Sequence, residues 1–475
     1  MTGPCDRTIC LPSAKKFDEM IFMHYTSTTR YKFLAAYLLL LAVLPAAMSN
    51  GQEPRAESAK GWPRFLGPNI DGVSPETGIL KDWSDGKLKL LWQTELGEGY
   101  SMCSVADGLV YQFDKVDDQG RLRCMDASTG ETQWKFEYES NYRDLYGYDA
   151  GPRSSPLIDG DRIYLFGVEG MLICVDQNTH KAIWQVDTAE KFGVVQNFFG
   201  VASSPVIFED KLLVMVGGSP PESSEVPPGQ LDRVKPNGSA VVAFDKFTGE
   251  VIYETGDDLA SYTSLTWMDD GQERTLLAWA RDNLWGIEPG QGGIKFKFPY
   301  RSKKLESVNA MTPVSVDNKI FLSECYENGS ALLQVKGGKI ETLWSDGGKR
   351  NKALQSHWCT PIVSGDFLYG CSGRNSGSAE LRCISMSTGE VQWSQAGFNR
   401  CSMLLIDEHL IVVGERGRLA LVKAGPENFE LVTERLPDDQ LKFVPNCWSA
   451  PVVADGRLFV RGGKKLACFQ LIPVE

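Results

Sequence analysis

Three observations predict an all-β chain folded as an eight-bladed β-propeller of four-stranded antiparallel blades. One stretch, SSPLIDGDRIYLFGVEGMLICVDQNTHKAIWQV from Ser154 to Val186, reads as four short apolar strands separated by polar turns. The same pattern returns along the chain at roughly 40–50 residues, the mark of a propeller or solenoid array. A lone strand near the start, Lys87–Leu96, supplies the strand that the last repeat lacks.

The repeat is counted from one position, Asp176 after LICV. Its counterparts are Asp126, Asp245, Glu288, Lys336, Ser385, Lys423 and Gln470, so the eight copies stand 50, 69, 43, 48, 49, 38 and 47 residues apart. In DASTGETQW the Asp126 carboxylate is suited to accept backbone N–H bonds, and Gly130 takes positive φ cheaply at the end of a short hairpin loop. Eight residues after the acid comes an aromatic that anchors the outer strand. The same offsets give Gly249 and Tyr253, Gly292 and Phe296, and Gly389 and Trp393, with His180 in the glycine slot of the second copy. The signature fades after Lys336 and Lys423. Ser155-Pro156, Ser204-Pro205, Thr312-Pro313, Thr360-Pro361 and Ala450-Pro451 open the innermost strands, where proline removes no required ladder bond. The chain ends soon after Gln470, so Lys87–Leu96, with Trp92 in the outer-aromatic place, is predicted to join the last blade and close the ring.

In chain order, residues 1–48 read as a leader. Arg30, Tyr31 and Lys32 precede an apolar run, Phe33–Leu44, and small residues follow at Ala46, Ala47 and Ser49, the layout of a secretory signal peptide. The run is short of the roughly 20 residues a membrane span needs, so no transmembrane segment is expected in the mature chain. Residues 49–61 read as a disordered polar linker, and 62–475 as a single propeller domain, exported to the periplasm or the cell exterior. The net charge of −12 becomes −14 once the five basic and three acidic groups of the leader are removed. Such a surface argues against nucleic acid as a partner. Trp62–Gly72, WPRFLGPNIDG, is expected to lie as a strap across the ring. Tyr138–Arg153, with four tyrosines, and the proline-rich Ser219–Gly238 interrupt the repeat as long loops, where function tends to sit.

The copies SSPLIDGDRIYLFGVEGMLICVDQNTHKAIW and CSVADGLVYQFDKVDDQGRLRCMDASTGETQW resemble repeats of the PQQ-like (pyrrolo-quinoline quinone repeat) β-propeller superfamily. That group includes quinoprotein alcohol dehydrogenases and the periplasmic propeller lipoprotein of the outer-membrane β-barrel assembly machinery. The opening WPRFLGPNIDG with its lone LLW strand resembles secreted bacterial members. The resemblance implies the fold over residues 62–475 and says little of activity, because the motif is structural. Dehydrogenases of the group carry an adjacent Cys-Cys disulfide, a calcium and a catalytic Asp. This chain has no Cys-Cys dipeptide, and its calcium set is not placed residue by residue.

No HExxH, GxSxG, GxxxxGK[ST] or CxxC motif is present, so no catalytic or metal-ligating residue is assigned. Cys124, Cys174, Cys383 and Cys468 share one repeat slot that wants a small apolar side chain. Oxidising surroundings would permit bridges between Cys359 and Cys401 or between Cys371 and Cys383. A binding site, if one exists, belongs at the channel mouth where the inner strands begin. That slot holds Met102, Arg153, Ala202, Tyr262, Ala310, Trp358, Arg400 and Trp448, with Asn309, His357 and Asn399 one position further out. Arg153, Trp358, Arg400, Trp448, His357 and Asn399 are the candidates for holding a planar anion such as PQQ, by guanidinium pairing and stacking. Three readings stand. The first is an exported, non-catalytic, monomeric scaffold for a protein or cell-envelope component, with no cofactor required. The second is a PQQ-dependent oxidoreductase with a diverged site, and the third a carbohydrate- or polymer-binding propeller.

Overall fold

The computed structural model describes residues 61–474 apart from 440, 442 and 444. The leader and nearly all of the linker lie outside them. Eight antiparallel sheets follow one another, spanning residues 104–139, 157–187, 206–255, 266–299, 314–345, 362–395, 401–435 and 452–470, called blades 1 to 8. Blade 8 is completed by Leu90–Glu95, which pairs antiparallel with Lys465–Gln470. The closing strand is therefore as predicted, shorter by a few residues at its start. Blade 7 departs from the four-stranded rule. Val73–Ser74 adds to it in parallel beside Leu405 and Ile406.

The repeat slot is small because it is flanked by aromatics. Cys124 stands between Tyr111 and Trp134, Cys174 between Tyr164 and Trp184, Cys383 between Tyr369 and Trp393, and Cys468 between Phe459 and Trp92. Directly opposed side chains share one face of a sheet, so a larger residue would drive the two rings apart. All ten described cysteines are free thiols and buried. Neither anticipated bridge is formed. Cys371 pairs with Leu381 rather than Cys383, which lies two residues further along the ladder.

The turn after the third strand makes the contact between blades. Asp176 accepts the N–H groups of Asn178 and Thr179 at 2.8 and 2.7 Å, and Asp245 those of Phe247 and Thr248 at 2.8 Å each. The turn then presents a carbonyl to the outer-strand aromatic of the preceding blade. Trp92 Nε1 donates to Ala127 O at 3.0 Å, Trp184 to Lys246 O at 3.2 Å, Trp344 to Met386 O at 2.9 Å and Trp393 to Gly425 O at 2.8 Å, while Tyr253 Oη reaches Pro289 O at 2.8 Å. Gly130 and Gly249 have φ of 74° and 76°, and a Cβ there would come within 2.6 Å of Trp92 and 2.8 Å of Trp184. His180, at φ 59°, instead lays its ring on Trp134, 4.6 Å between centroids and 12° from parallel.

A second belt circles the channel. Backbone N–H groups donate to the next blade's hydroxyl from Ser155 to Ser204, Ser204 to Ser264, Ser264 to Thr312 and Thr312 to Thr360, at 3.0 to 3.2 Å. The Ser/Thr of each Ser-Pro or Thr-Pro landmark thus bridges blades, a role beyond the proline's. Closure between blades 8 and 1 adds the buried guanidinium of Arg461, which donates to Ser101 O, Ser101 Oγ and Phe113 O at 3.2, 3.0 and 3.2 Å. The strap lies across the far ends of the inner strands. Trp62 bridges Val105, Pro63 O accepts Ile158 N–H at 2.9 Å, and Val73–Ser74 reaches blade 7.

Trp92 combines the closing strand with the inter-blade contact and is 8% exposed. Trp92→Ala should cost about 3–5 kcal/mol in urea unfolding, as for other buried large-to-small changes. Trp92→Phe keeps an aromatic ring but gives up part of the indole's volume together with its hydrogen bond, and should cost less, roughly 1–3 kcal/mol.

Candidate functional site

Inner strands start at the mouth, so the second strand of each blade returns there and the fourth ends there. Both long insertions therefore open on this face: 140–153 joins the outer strand of blade 1 to blade 2, and 219–238 joins the second and third strands of blade 3. The strap closes the opposite face.

Four of the six predicted residues form one cluster. The Arg400 Cζ stands 4.8 Å from the Trp358 ring centroid and 4.7 Å from that of Trp448, and the two indoles are 4.6 Å apart, a near-equilateral triangle. His357 extends it, 4.7 Å from Trp358, and its Nε2 is 3.3 Å from Tyr326 Oη. Glu415, at the mouth end of the second strand of blade 7, is buried beneath the guanidinium. It accepts Arg400 Nε at 3.0 Å, Arg400 Nη2, Trp448 Nε1 at 3.0 Å and the Ser376 hydroxyl. Burial pushes this carboxylate up, yet the Arg400, Ser376 and Trp448 donors outweigh it and hold Glu415 below its ordinary value of 4.5. Burial, reinforced by the Arg400 and Arg374 charges, pushes His357 down to about 3, so its imidazole is neutral.

Arg153 lies one aromatic away from the triangle. Its Cζ sits 5.7 Å from Tyr100, which is 4.9 Å from Trp448, and 5.8 Å from Tyr142. The guanidinium is spent on the insertion itself, donating to Gly151 O, to Asp149 O at 2.7 Å and to Asp144 at 3.3 Å. Asn399 is not brought to the cluster. It adopts φ 59° and donates from Nδ2 to Ser376 O at 3.1 Å, which caps a loop. Asn309 is likewise committed, to Ala280 O and Arg281 O at 3.0 Å each.

The insertion completes an aromatic wall. Tyr146 packs 5.8 Å from Phe198 and from Phe199, Tyr148 lies 6.0 Å from Phe199 and 6.5 Å from Trp448, and Phe199 is 5.7 Å from Tyr262. Outward, Leu145, Tyr146 and Tyr148 are 46%, 60% and 61% exposed. A cleft of about 590 Å³ opens beside this loop, between Glu98, Lys115, Asp118, Arg143 and Lys464. Glu415 was not legible as a site residue, though an acid in VVGERG directly after an apolar strand was the available signal. Tyr326 and Arg374, whose Cζ is 4.5 Å from that ring, gave none.

An acidic quinone with its cation needs unpaired guanidinium edges and a carboxylate cluster. Here both arginines are neutralised from within, and among the described residues no group of three or more His, Cys, Asp or Glu is placed to hold a metal. As arranged, the mouth does not fit that pair. Among the described residues no helix is long and apolar enough to cross a membrane.

A family model described as "Outer membrane protein assembly factor BamB" matches residues 78–255 and 118–395. Among curated proteins, the dehydrogenase subunit of the quinone alcohol dehydrogenase of Gluconobacter oxydans is 28% identical over 143 residues, 28% of this chain and 18% of that protein. The quinoprotein ethanol dehydrogenase of Pseudomonas putida is 25% identical over 177 residues, 35% of this chain and 26% of its own length. The chain thus matches under a third of either relative. Solved structures include BamB from Moraxella catarrhalis (TM-score 0.53, 12% identity, 81% of this chain and 99% of that one). A europium-containing methanol dehydrogenase gives 0.64 at 11% identity, over 88% and 99% of the two chains. At such identity these likenesses speak for the fold.

The depressed Glu415 carboxylate stabilises the folded mouth fully above its unfolded value, and that contribution is lost as pH falls through its folded one. In a His180→Gln background, which removes the imidazole stacked on Trp134, tryptophan emission should therefore stay flat from about pH 8 to about pH 5 and change only in acid, a change that Glu415→Gln diminishes. A titration centred near the ordinary imidazole value of about 6.5 would instead mean that His357 takes up a proton.

Proposed function

The chain belongs to the propeller family described as outer membrane protein assembly factor BamB, and on that premise we propose that it is an exported, non-catalytic scaffold that docks a protein or cell-envelope component on its mouth. The observation that carries this reading is the Arg400 guanidinium, packed on Trp358 and Trp448 and neutralised by Glu415. A group so committed offers rigid aromatic surface and no open anion pocket. Beside it, exposed Tyr146 and Tyr148 supply large faces at low entropic cost, the residue type that interfaces favour. Both insertions open on the same face, which supports one-sided docking.

The matches to quinone-dependent alcohol dehydrogenases favour a second reading, a PQQ-dependent oxidoreductase with a diverged site. It requires Arg400 to exchange Glu415 for a ligand carboxylate. The two readings part on one titration. PQQ, with and without calcium, added to the purified chain should leave tryptophan emission and melting temperature unchanged up to high micromolar. A saturable, calcium-dependent response that Arg400→Ala abolishes would overturn the scaffold reading. In the other direction, a photo-crosslinking residue at position 148 should join the chain to an envelope protein in cells, and Tyr146→Ala with Trp448→Ala should remove that adduct. Retention on insoluble polysaccharide with no protein adduct would favour the polymer-binding alternative instead.

A further inference from the structure

The junction between blades 6 and 7 differs chemically from those before it. From blade 2 to blade 6 each inner-strand N–H donates forward to a hydroxyl of the next blade, whereas here an N–H of blade 7 donates back to a sulfur of blade 6. Cys401 N–H donates to Cys371 Sγ at 3.3 Å, and the Cys371 thiol in turn reaches Asn399 O at 3.7 Å. The Cys371 sulfur, on the second strand of blade 6 (Phe367–Ser372), therefore lies against the backbone of residues 399–401, where the inner strand of blade 7 (Cys401–Ile406) begins. Cys359 completes the group from the segment entering blade 6. All three are buried in one apolar cluster.

We propose that Cys371 and Cys401 form an inter-blade disulfide under oxidising conditions, directly behind Arg400, while Cys359 remains a thiol. The two thiols have different environments in the folded ring. The Cys401 thiol beside it holds Cys371 below the ordinary thiol value despite burial, whereas the Cys371 contact and burial push Cys401 up and burial pushes Cys359 up. The thiolate of either Cys371 or Cys401 attacks oxidised glutathione and releases one glutathione thiol. The other cysteine then displaces the second, so two protein thiols give one S–S bond and their two electrons and two protons leave on two glutathione molecules. Because both sulfurs are buried, the bond closes before the blades dock or while the junction opens locally. Its effect falls on the mouth, since Asn399 and Arg400 lie between the tethered positions. The pairing rests on geometry and stands apart from the docking reading.

The test is peptide mapping without reduction, on the full chain held in a glutathione redox buffer with and without sub-denaturing urea. The expected product is a Cys371–Cys401 linked peptide pair, two hydrogens lighter than its separated thiol forms. Dithiothreitol should lower the melting temperature by several degrees in the wild-type chain and in Cys359→Ser, and leave Cys371→Ser unchanged. Recovery of Cys371 and Cys401 both as alkylated thiols from the oxidised, folded chain would overturn the proposal, as would either one linked to Cys359. The wild-type map decides the matter even if a variant fails to fold.

Discussion

The contact on which this ring depends is an aromatic side chain on one blade's outer strand, seated on the turn of the next. Its strength is double. A large ring leaves water, and its N–H or O–H finds a carbonyl that the turn would otherwise leave open. The carbonyl is in place because the acid directly before it, Asp126 before Ala127 or Asp245 before Lys246, folds the turn by accepting N–H groups two and three residues on, and the ring can lie flat because a glycine follows. Sheets of this size do not hold their neighbours by backbone pairing, so blade-to-blade affinity is side-chain chemistry. Where the pattern lapses, other residues fill in. Blade 7 has Thr433 in the aromatic slot, and its hydroxyl accepts the N–H of Trp83, a buried residue ahead of the closing strand.

That same contact explains what could be read in advance. Asp126, Gly130 and Trp134 form a local signature within nine residues, and copies of it carry spacing, strand order and ring closure together. The mouth is not local in that sense. Trp358, Arg400 and Trp448 were found because a single alignment slot brings them to one rim. Glu415 comes from a different strand end, and no repeat position marks it. Asn399 illustrates the converse error: polar and near the rim, it has a left-handed backbone and turns its amide to a loop carbonyl. The cysteines divide in the same way. Those in the repeat slot were legible as packing, whereas the meeting of Cys371 with Cys401 depends on how two blades are offset.

The mouth also shows how charge can be present without being available. Arg153 and Arg400 looked in the sequence like two cations facing a channel. In the fold each is balanced by a carboxylate, Asp144 or Glu415, and covered by aromatic rings. What this leaves at the surface is largely neutral and rigid. Recognition at that cluster relies on shape and stacking, and any long-range attraction comes from the acidic charge of the chain as a whole.

Leu90–Glu95 must wait for Lys465–Gln470 before either has its ladder partner. During synthesis, blades 1 to 7 can form in sequence, each on its predecessor, while the closing strand stays single. Its edge, and the underside of Trp92, are then open to solvent for almost the whole time the chain is emerging. The last strand to appear therefore acts as a completion signal: a chain cut short anywhere before residue 465 keeps an unpaired, apolar edge that a chaperone or protease can recognise, and a finished one hides it.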